Sequence, residues 1–329
     1  MVKGQLPVPR FPTQAARSSL AILLALVLGA TAVGPALARD DSTPPASSEL
    51  AQKLPAVVLP TMNSQGFVFE LTSTYSGKPS GTPNSAPVYL MQEQSVDTDG
   101  AKDIAKKLGI EGDLKDEGNG TYSASGNGTL YVTTGLTQYV AGGDTPEGDL
   151  PADDQLVATA REWLRKQELL PANAGDGKVQ AKVDSPARAS VIFQPVTPTP
   201  LLSSTPSVTV TIGGGGTVLE ASWRWADISQ GDTYQLRPLE QAFGDVADQR
   251  SYLQVELPSD KYPDGSSIKG KAVYSGVSLA YASSGVPGEQ QYLQPVYVFT
   301  GKVTPDGADS SFPITAYVPA LVNSNQPVG

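Results

Sequence analysis

Three helix-like segments, each followed by a run of strand-like segments, dominate the sequence after residue 62. The helix pattern places apolar residues three and four positions apart, and the strand pattern alternates apolar and polar residues. Strands joined by short turns pair antiparallel, and a helix beside them covers one face of the sheet. The sequence therefore predicts an α+β fold of tandem modules, each with one helix packed on an antiparallel β-sheet, after an N-terminal signal or anchor segment.

The three predicted helices have recognisable ends. The first begins at Asp99, which suits an N-cap, and ends at Gly109. The second has Pro151 at its first position, acidic residues next, and basic residues near its end at Lys166. The third begins at Pro238. Their apolar faces consist of Ala101, Ile104, Ala105 and Leu108; Leu156, Ala160, Trp163 and Leu164; and Leu239, Ala242, Phe243 and Val246.

Strand patterns fill the intervals around these helices. An Asn-Gly pair at 127–128 is typical of a hairpin turn, and four glycines at 213–216 join two alternating segments. The predicted strands span 87–92, 121–125, 129–134, 179–183, 190–195, 206–212, 217–225, 252–257, 272–281, 292–301 and 312–319. The predicted modules are 63–145, 146–231 and 232–322, followed by a tail at 323–329.

The first 38 residues have the composition of an export signal. Three basic residues precede an apolar run at 20–28, and the Ala-Leu-Ala sequence at 36–38 suits cleavage before Arg39. The competing interpretation is a membrane anchor over 20–38, because its 19 residues reach the lower limit for spanning a bilayer. Residues 39–62, which mix Pro, Ser and charged residues, are predicted to be a linker. We expect an exported protein, extracellular or at the cell envelope, that contacts a membrane only through the apolar segment if it stays uncleaved.

The residue content excludes several chemistries. The chain has no Cys and no His, so it forms no disulfide, no Ser-His-Asp or Cys-His nucleophile system, and no thiolate or imidazole zinc site. Catalysis is left to carboxylates, Lys, Tyr or an oxygen-ligated metal. Its 33 acidic and 23 basic residues give a net charge of −10, which does not attract nucleic acid. We predict a protein that is not an enzyme and has no cofactor and no bound metal.

Two groups of acidic residues have alternative interpretations. Residues 97–103 resemble part of a calcium loop, but the spacing of an EF-hand is absent, and an N-cap with its turn explains the same residues. A glycosidase needs two carboxylates across a sugar ring. The candidates are the acids of the second and third helices, where the helix dipole also favours them: Asp153, Asp154, Glu240 and Asp245.

Aromatic residues supply the candidate contact site. Trp223 and Trp225 lie on one face of the strand predicted at 217–225, with Tyr234 nearby. Exposed aromatic rings stack on sugars or anchor a protein partner. The competing interpretation assigns the two tryptophans to the core, because they lie on the apolar side of an alternating strand. If that face is exposed, these three residues are the predicted site of partner or glycan contact.

Segments of the C-terminal third resemble a known family. The sequences GVSLAY at 276–281, YLQPVYVFTG at 292–301 and AYVPA at 316–320 resemble the C-terminal strands of the YycH/YycI family. The sequence YQLRPLEQA at 234–242 is similar to the strand-to-helix entry of that family and of PepSY-like modules. The resemblance covers about 205–320. It implies an extracytoplasmic protein, tethered by an N-terminal membrane helix, that adjusts a cell-wall sensor kinase and is not an enzyme.

Two functions of different classes remain. The preferred prediction is a non-catalytic extracytoplasmic binding or regulatory protein that acts through protein–protein contact at the cell envelope. Its partner would be an envelope protein or a sensor component. The alternative is a carboxylate-dependent hydrolase, or a binder, of envelope polysaccharide, with a cell-wall polymer as its partner.

Overall fold

A computed structural model describes residues 54–59, 66–77, 82–144, 146–285 and 290–322. Of the residues that the structure describes, half are in strands and 14% are in helices. Within the described residues, fifteen strands form one sheet of seven strands and one of eight, accompanied by three α-helices.

The predicted signal or anchor segment, 1–38, and the predicted tail, 323–329, lie outside the described residues. Among the residues that the structure describes, no helix is long and apolar enough to cross a membrane.

The eight-stranded sheet consists of two four-stranded meanders. Its strands are β3 (Lys115–Gly118), β4 (Thr121–Ser125), β5 (Gly128–Thr133), β6 (Leu136–Ala141), β7 (Lys178–Asp184), β8 (Ala187–Phe193), β9 (Ser207–Gly213) and β10 (Val218–Arg224). Helix α1 (Thr98–Lys107) precedes the first meander, and helix α2 (Asp153–Lys166) precedes the second. The spatial order is β3-β4-β5-β6-β10-β9-β8-β7, so the meanders meet where β6 and β10 pair antiparallel.

The seven-stranded sheet takes its strands from both ends of the described chain. These are β1 (Val68–Tyr75), β2 (Ser85–Glu93), β11 (Ala226–Gln235), β12 (Tyr252–Val255), β13 (Ser267–Ser284), β14 (Gln291–Pro305) and β15 (Phe312–Pro319), with helix α3 (Leu239–Ala247). The long antiparallel hairpin of β13 and β14 lies at the centre. Strand β1 pairs in parallel with β13, whereas β2 pairs antiparallel with both β14 and β11.

The predicted fold class is wrong. The structure is mostly β, with two large sheets, and it does not consist of tandem modules with one helix per sheet. The first two helix-and-strand units share one sheet because β6 and β10 pair, which satisfies backbone groups that two separate sheet edges would leave unpaired. The strand predicted at 87–92 is β2, and it pairs in the other sheet. Periodicity identified the three helices and eleven of the fifteen described strands, but not β1, β3, β6 and β11, and it carried no information about which edges pair.

Helices α1 and α2 cover the same face of the eight-stranded sheet. Ala101 and Ala105 of α1 are buried against the first meander, and Leu156, Ala160 and Leu164 of α2 are fully buried against the second. These residues belong to the apolar faces that their spacing predicts. Because both helices lie on one face, the other face of this sheet carries no described helix.

Part of the predicted linker, 39–62, packs on the seven-stranded sheet. Residues 54–59 lie beside the end of β13, where Val57 forms a bridge with Ser284. The side chain of Gln294, which is 1% exposed, donates hydrogen bonds to Pro55 O at 2.7 Å and to the Ser284 hydroxyl at 2.5 Å. This buried amide therefore attaches the segment to the sheet.

An aromatic cluster under α3 forms the core of the seven-stranded sheet. Phe243 of α3 contacts Tyr274 and Phe299, with ring centroids 5.8 and 5.5 Å apart. The hydroxyl of Tyr297 donates to Arg237 O at 2.8 Å. The buried hydroxyl of Tyr274 has no hydrogen-bond partner among the described residues, and burial raises its pKa well above the ordinary value.

These two tyrosines form a matched pair for mutation. We expect Tyr274→Phe to raise the free energy of unfolding by up to about 1 kcal/mol, because it removes a buried hydroxyl without a partner. Tyr297→Phe, on the neighbouring strand and equally buried, should lower it by about 1 kcal/mol, because it breaks a hydrogen bond. Urea denaturation measures both. Equal losses of stability in the two variants would contradict this interpretation.

Candidate functional site

The chain returns from the eight-stranded sheet to the seven-stranded sheet across a single residue. Strand β10 ends at Arg224 in the eight-stranded sheet, and β11 begins at Ala226 in the seven-stranded sheet. Trp225 lies between them, is 7% exposed, and packs with the core beneath α2. Clefts open around this junction.

One cleft, of about 430 Å³, lies on the helix-bearing face of the eight-stranded sheet. Its apolar wall includes Val96, Ile104, Leu169, Trp223 and Trp225, which together define what we call the Trp cleft. These residues come from three places: the region of α1, the loop after α2, and the end of β10. The exposed polar side chains that line it include Glu168, Asn173 and Asp227.

Trp223 is fixed by a hydrogen bond and by ring contacts. Its Nε1 donates to Leu169 O at 2.9 Å, which holds the loop after α2 beside the sheet. Its ring centroid lies 6.3 Å from that of Trp163, which stacks at 5.8 Å on Tyr139. These rings pack against the buried clusters of both meanders, yet Trp223 itself remains only half-buried.

Two other clefts lie at the junction. One, of about 300 Å³, is lined by residues that include Met91, Arg224 and Trp225. The other, of about 570 Å³, includes Lys178, Ile192 and Arg224, and no aromatic side chain is among its described lining residues. The Trp cleft differs from both because two tryptophan rings line it.

The structure brings together two of the three predicted contact residues. Trp223 and Trp225 line the same cleft. Tyr234 lies in β11, is 8% exposed, and packs in the core of the seven-stranded sheet. Burial raises the pKa of its hydroxyl, and the charge of the nearby Asp232 raises it further. Tyr234 does not line the Trp cleft.

Sequence reasoning missed the walls that face the tryptophans. The apolar spacing places Ile104 only on the core face of the first helix, and no predicted helix or strand includes Leu169 and Leu170. The sequence does contain a sign of this wall, namely the two leucines that follow the end of α2. They lie outside the helix, so the apolar spacing of the helix does not explain them. Apolar residues in a connecting segment need a packing partner, and here they meet the end of β10.

The candidate glycosidase carboxylates lie on helices of different sheets. Asp153 is in α2 and pairs with Lys182, whereas Glu240 and Asp245 are in α3. Glu240 is exposed.

Asp245 lies in an ion-pair network rather than in a catalytic setting. Its two carboxylate oxygens each accept a hydrogen bond at 2.7 Å, from Arg237 and from Arg250. Burial raises the pKa of Asp245, but the hydrogen bonds and charges of the two arginines outweigh this and hold it below its ordinary value. A glycosidase acid needs a raised pKa, so this arrangement suits a structural role.

The acids that resemble a calcium loop form a helix N-terminus. The cap is Asp97, whose Oδ1 accepts a hydrogen bond from Gly100 N at 2.8 Å, so the prediction that Asp99 is the cap is wrong. Asp99 and Asp103 pair with lysines one turn along the helix. Over the described ranges, no group of three or more acidic residues gathers into a metal-binding cluster.

Comparisons with known proteins give only distant similarities. No known family and no curated protein matches the chain. Among solved structures, it is similar to an uncharacterized protein from Eubacterium rectale, with a TM-score of 0.41 and 10% identity over 84% of this chain and 97% of the other. It is also similar to the C-terminal domain of YpeB from Bacillus megaterium, with a TM-score of 0.35 and 14% identity over 70% and 95%.

The second similarity is loosely consistent with a PepSY-like module, and nothing in the comparisons supports the YycH/YycI family. At TM-scores this low, neither similarity carries an argument about function.

The Asp245 network predicts a pH-dependent stability. We expect Asp245→Asn to lower the free energy of unfolding by about 2 kcal/mol at neutral pH, because a neutral amide replaces the carboxylate that accepts hydrogen bonds from the two arginines. The pKa of Asp245 is lower in the folded than in the unfolded chain. Its contribution is therefore present above about pH 4 and disappears as the pH falls through the folded-state pKa.

Urea denaturation over a pH series measures this effect. The difference between wild type and Asp245→Asn should shrink in acid. Asp153→Asn is the matched control, because its ion pair with Lys182 is largely exposed and should contribute less than about 1 kcal/mol. A difference for Asp245→Asn that stays constant in acid would show that the carboxylate charge is not what stabilises α3.

Proposed function

We propose that this chain is a non-catalytic binding protein that acts through protein–protein contact in the extracytoplasmic space, at the cell envelope, and that the Trp cleft is its contact surface. The observation that supports this is a half-buried Trp223 inside a mainly apolar cleft. Tryptophan is enriched among the residues that dominate binding energy at protein interfaces.

The walls of the Trp cleft are fixed before any partner arrives. The hydrogen bond from Trp223 to Leu169 O joins the sheet to the loop after α2, and Trp163 supports the ring from behind. A pre-formed site avoids much of the entropy cost of ordering side chains on binding. Its volume of about 430 Å³ lies within the range of ligand pockets and would hold one or two partner side chains.

The polar lining suggests the charge of the partner. Glu168 and Asp227 line the cleft, and none of its described lining residues is basic, although Lys107 Nζ lies 3.8 Å from a carboxylate oxygen of Glu168. An apolar side chain of the partner would contact the apolar wall, and a neighbouring Lys or Arg would pair with the acidic residues. A cation is also attracted to the face of a tryptophan ring. The resemblance of residues 205–320 to the YycH/YycI family adds the class of partner, a sensor component of the envelope.

Binding of an envelope polysaccharide is the second candidate. Trp223 offers a ring for stacking on a sugar, and the amide side chains of Gln94 and Asn173 line the same cleft. Amide groups both donate and accept hydrogen bonds, as recognition of sugar hydroxyls requires.

Tryptophan fluorescence distinguishes these candidates without a label. All three tryptophans of the chain lie in the cleft or stack behind it. We expect a short Lys-Leu-Lys peptide to shift the emission with an affinity about tenfold higher than a Glu-Leu-Glu peptide, because the acidic rim attracts the first and repels the second. A response to chitin oligosaccharides alone would favour the polysaccharide candidate, and no response to any of these probes would contradict the role of the cleft.

Two matched variants sharpen the titration. Glu168→Gln should reduce the preference for the lysine peptide, because it removes a charge that lines the cleft. Glu162→Gln changes an exposed acid of α2 that does not line the cleft, and it should leave the preference unchanged. Equal effects of the two variants would show that the net charge of the chain, rather than the cleft, determines the preference.

Photo-crosslinking in intact cells tests the partner class. A photoreactive residue at position 168, beside the cleft, should form a crosslink to an envelope protein. The control position is 183, where Val183 is 53% exposed on edge strand β7 and away from the cleft. We expect the crosslink from position 168 to disappear when Trp223→Ala is added. Equal crosslinking from both positions would contradict a specific contact at the Trp cleft.

A further inference from the structure

The sequence Gly-Asn-Gly-Thr occurs twice, at 118–121 and at 126–129. The first copy forms the turn between β3 and β4, where φ is 54° at Asn119 and 69° at Gly120. Positive φ at both central residues is typical of a type I′ hairpin turn. The second copy forms the turn between β4 and β5. Because the local sequences are identical, a difference in reactivity between the two asparagines must come from the fold.

An asparagine followed by glycine can convert itself to an acid. The main-chain nitrogen of the glycine attacks Cγ of the asparagine, a C–N bond forms, and the side-chain amide leaves as ammonia. Water then opens the resulting succinimide ring at either carbonyl and gives aspartate or isoaspartate. The reaction consumes one water and releases one ammonia, and it needs no enzyme. It does require the asparagine and the glycine nitrogen to rearrange their local conformation.

The first copy is free to rearrange. Strand β3 is at the edge of the eight-stranded sheet, and all four of its residues are exposed. The space around Gly120 is open, because a Cβ placed there would have Thr134 Oγ1, at 4.0 Å, as its nearest neighbour. Edge segments with few buried contacts open at a low free-energy cost. Asn119 can therefore leave its turn geometry without disturbing the core.

Main-chain hydrogen bonds and strand pairing fix the second copy in place. Asn127 O accepts a hydrogen bond from Gly142 N at 3.0 Å, and Gly126 N donates to Gly128 O at 2.8 Å. Gly128 is buried and paired with β6, and a Cβ placed there would lie 2.9 Å from Val140 O. Rearrangement at Asn127 therefore requires β5 to separate from β6 inside the sheet.

We propose that Asn119 is a site of spontaneous deamidation and that the fold protects Asn127. The product adds a negative charge next to Asp116 and Glu117, in a chain that already has a net charge of −10. Isoaspartate also inserts an extra main-chain atom into a two-residue turn whose geometry has no room for it. Conversion therefore weakens the pairing of β3 with β4 at this edge of the sheet.

Mass spectrometry of the aged protein tests the proposal directly. The folded full chain is incubated in mildly alkaline buffer and then cleaved after Tyr122, which separates the two sites for mass analysis. We expect deamidation at Asn119 to be at least about tenfold faster than at Asn127, which corresponds to a difference of about 1.4 kcal/mol in the cost of local opening.

The denatured chain is the internal control. In concentrated denaturant the two rates should become nearly equal, because the local sequences are the same. Equal rates in the folded chain, a faster reaction at Asn127, or no reaction at either site would each overturn the proposal. A rate difference that persists in denaturant would also overturn it, because the fold would then not be its cause.

Discussion

The antiparallel pairing of β6 with β10 is the interaction on which the rest of the structure depends. It joins two meanders that would otherwise each end in an open edge, and it thereby places α1 and α2 side by side on one face. Its register sets Thr137 opposite Trp223, and both residues line the Trp cleft. A shift of one residue would turn Trp223 to the face without helices, because side chains alternate along a strand. The cleft therefore exists only in this register.

The two sheets are joined by more than the two passages of the chain between them, from β2 to α1 and at Trp225. The loop between β8 and β9 leaves the eight-stranded sheet and pairs with β13, where Tyr281 N donates to Pro200 O at 2.9 Å and Leu202 N donates to Tyr281 O at 2.8 Å. Such main-chain contacts hold the junction at a second point. The chain has no disulfide to do this, since it has no cysteine, so backbone pairing and packing provide the connection.

The helices and most strands could be predicted from the sequence, whereas β1, β3, β6, β11 and the assembly of the sheets could not. The apolar spacing of α2 identified Leu156, Ala160 and Leu164, and all three are fully buried. The alternation through Trp223 and Trp225 identified their shared face, but it could not show that the strand ends between them and that the chain changes sheets there. Strand pairing depends on contacts between residues distant in sequence, and a strand's own pattern does not identify its partner.

The candidate site was only partly predictable for the same reason. Ile104 has the spacing of a core residue, yet in the fold it is half-buried and faces the cleft, because the surface opposite it comes from the loop after α2. Tyr234 follows Trp225 closely in sequence but belongs to another sheet and another core. When a site is formed by segments that are distant in sequence, the residue pattern of any one segment is not enough to identify it.

Trp223 differs from an ordinary core residue because its ring is only half-buried while its indole N–H is already hydrogen-bonded. Its Nε1 already donates to Leu169 O, so a partner that covers the ring leaves no buried donor unpaired. Removing the apolar area of the ring from water would then favour binding without the cost of an unpaired indole N–H. Glu168 and Asp227 are exposed at the same site and would keep most of their hydration. In the proposed contact, the rings therefore supply affinity and the acidic residues supply selectivity.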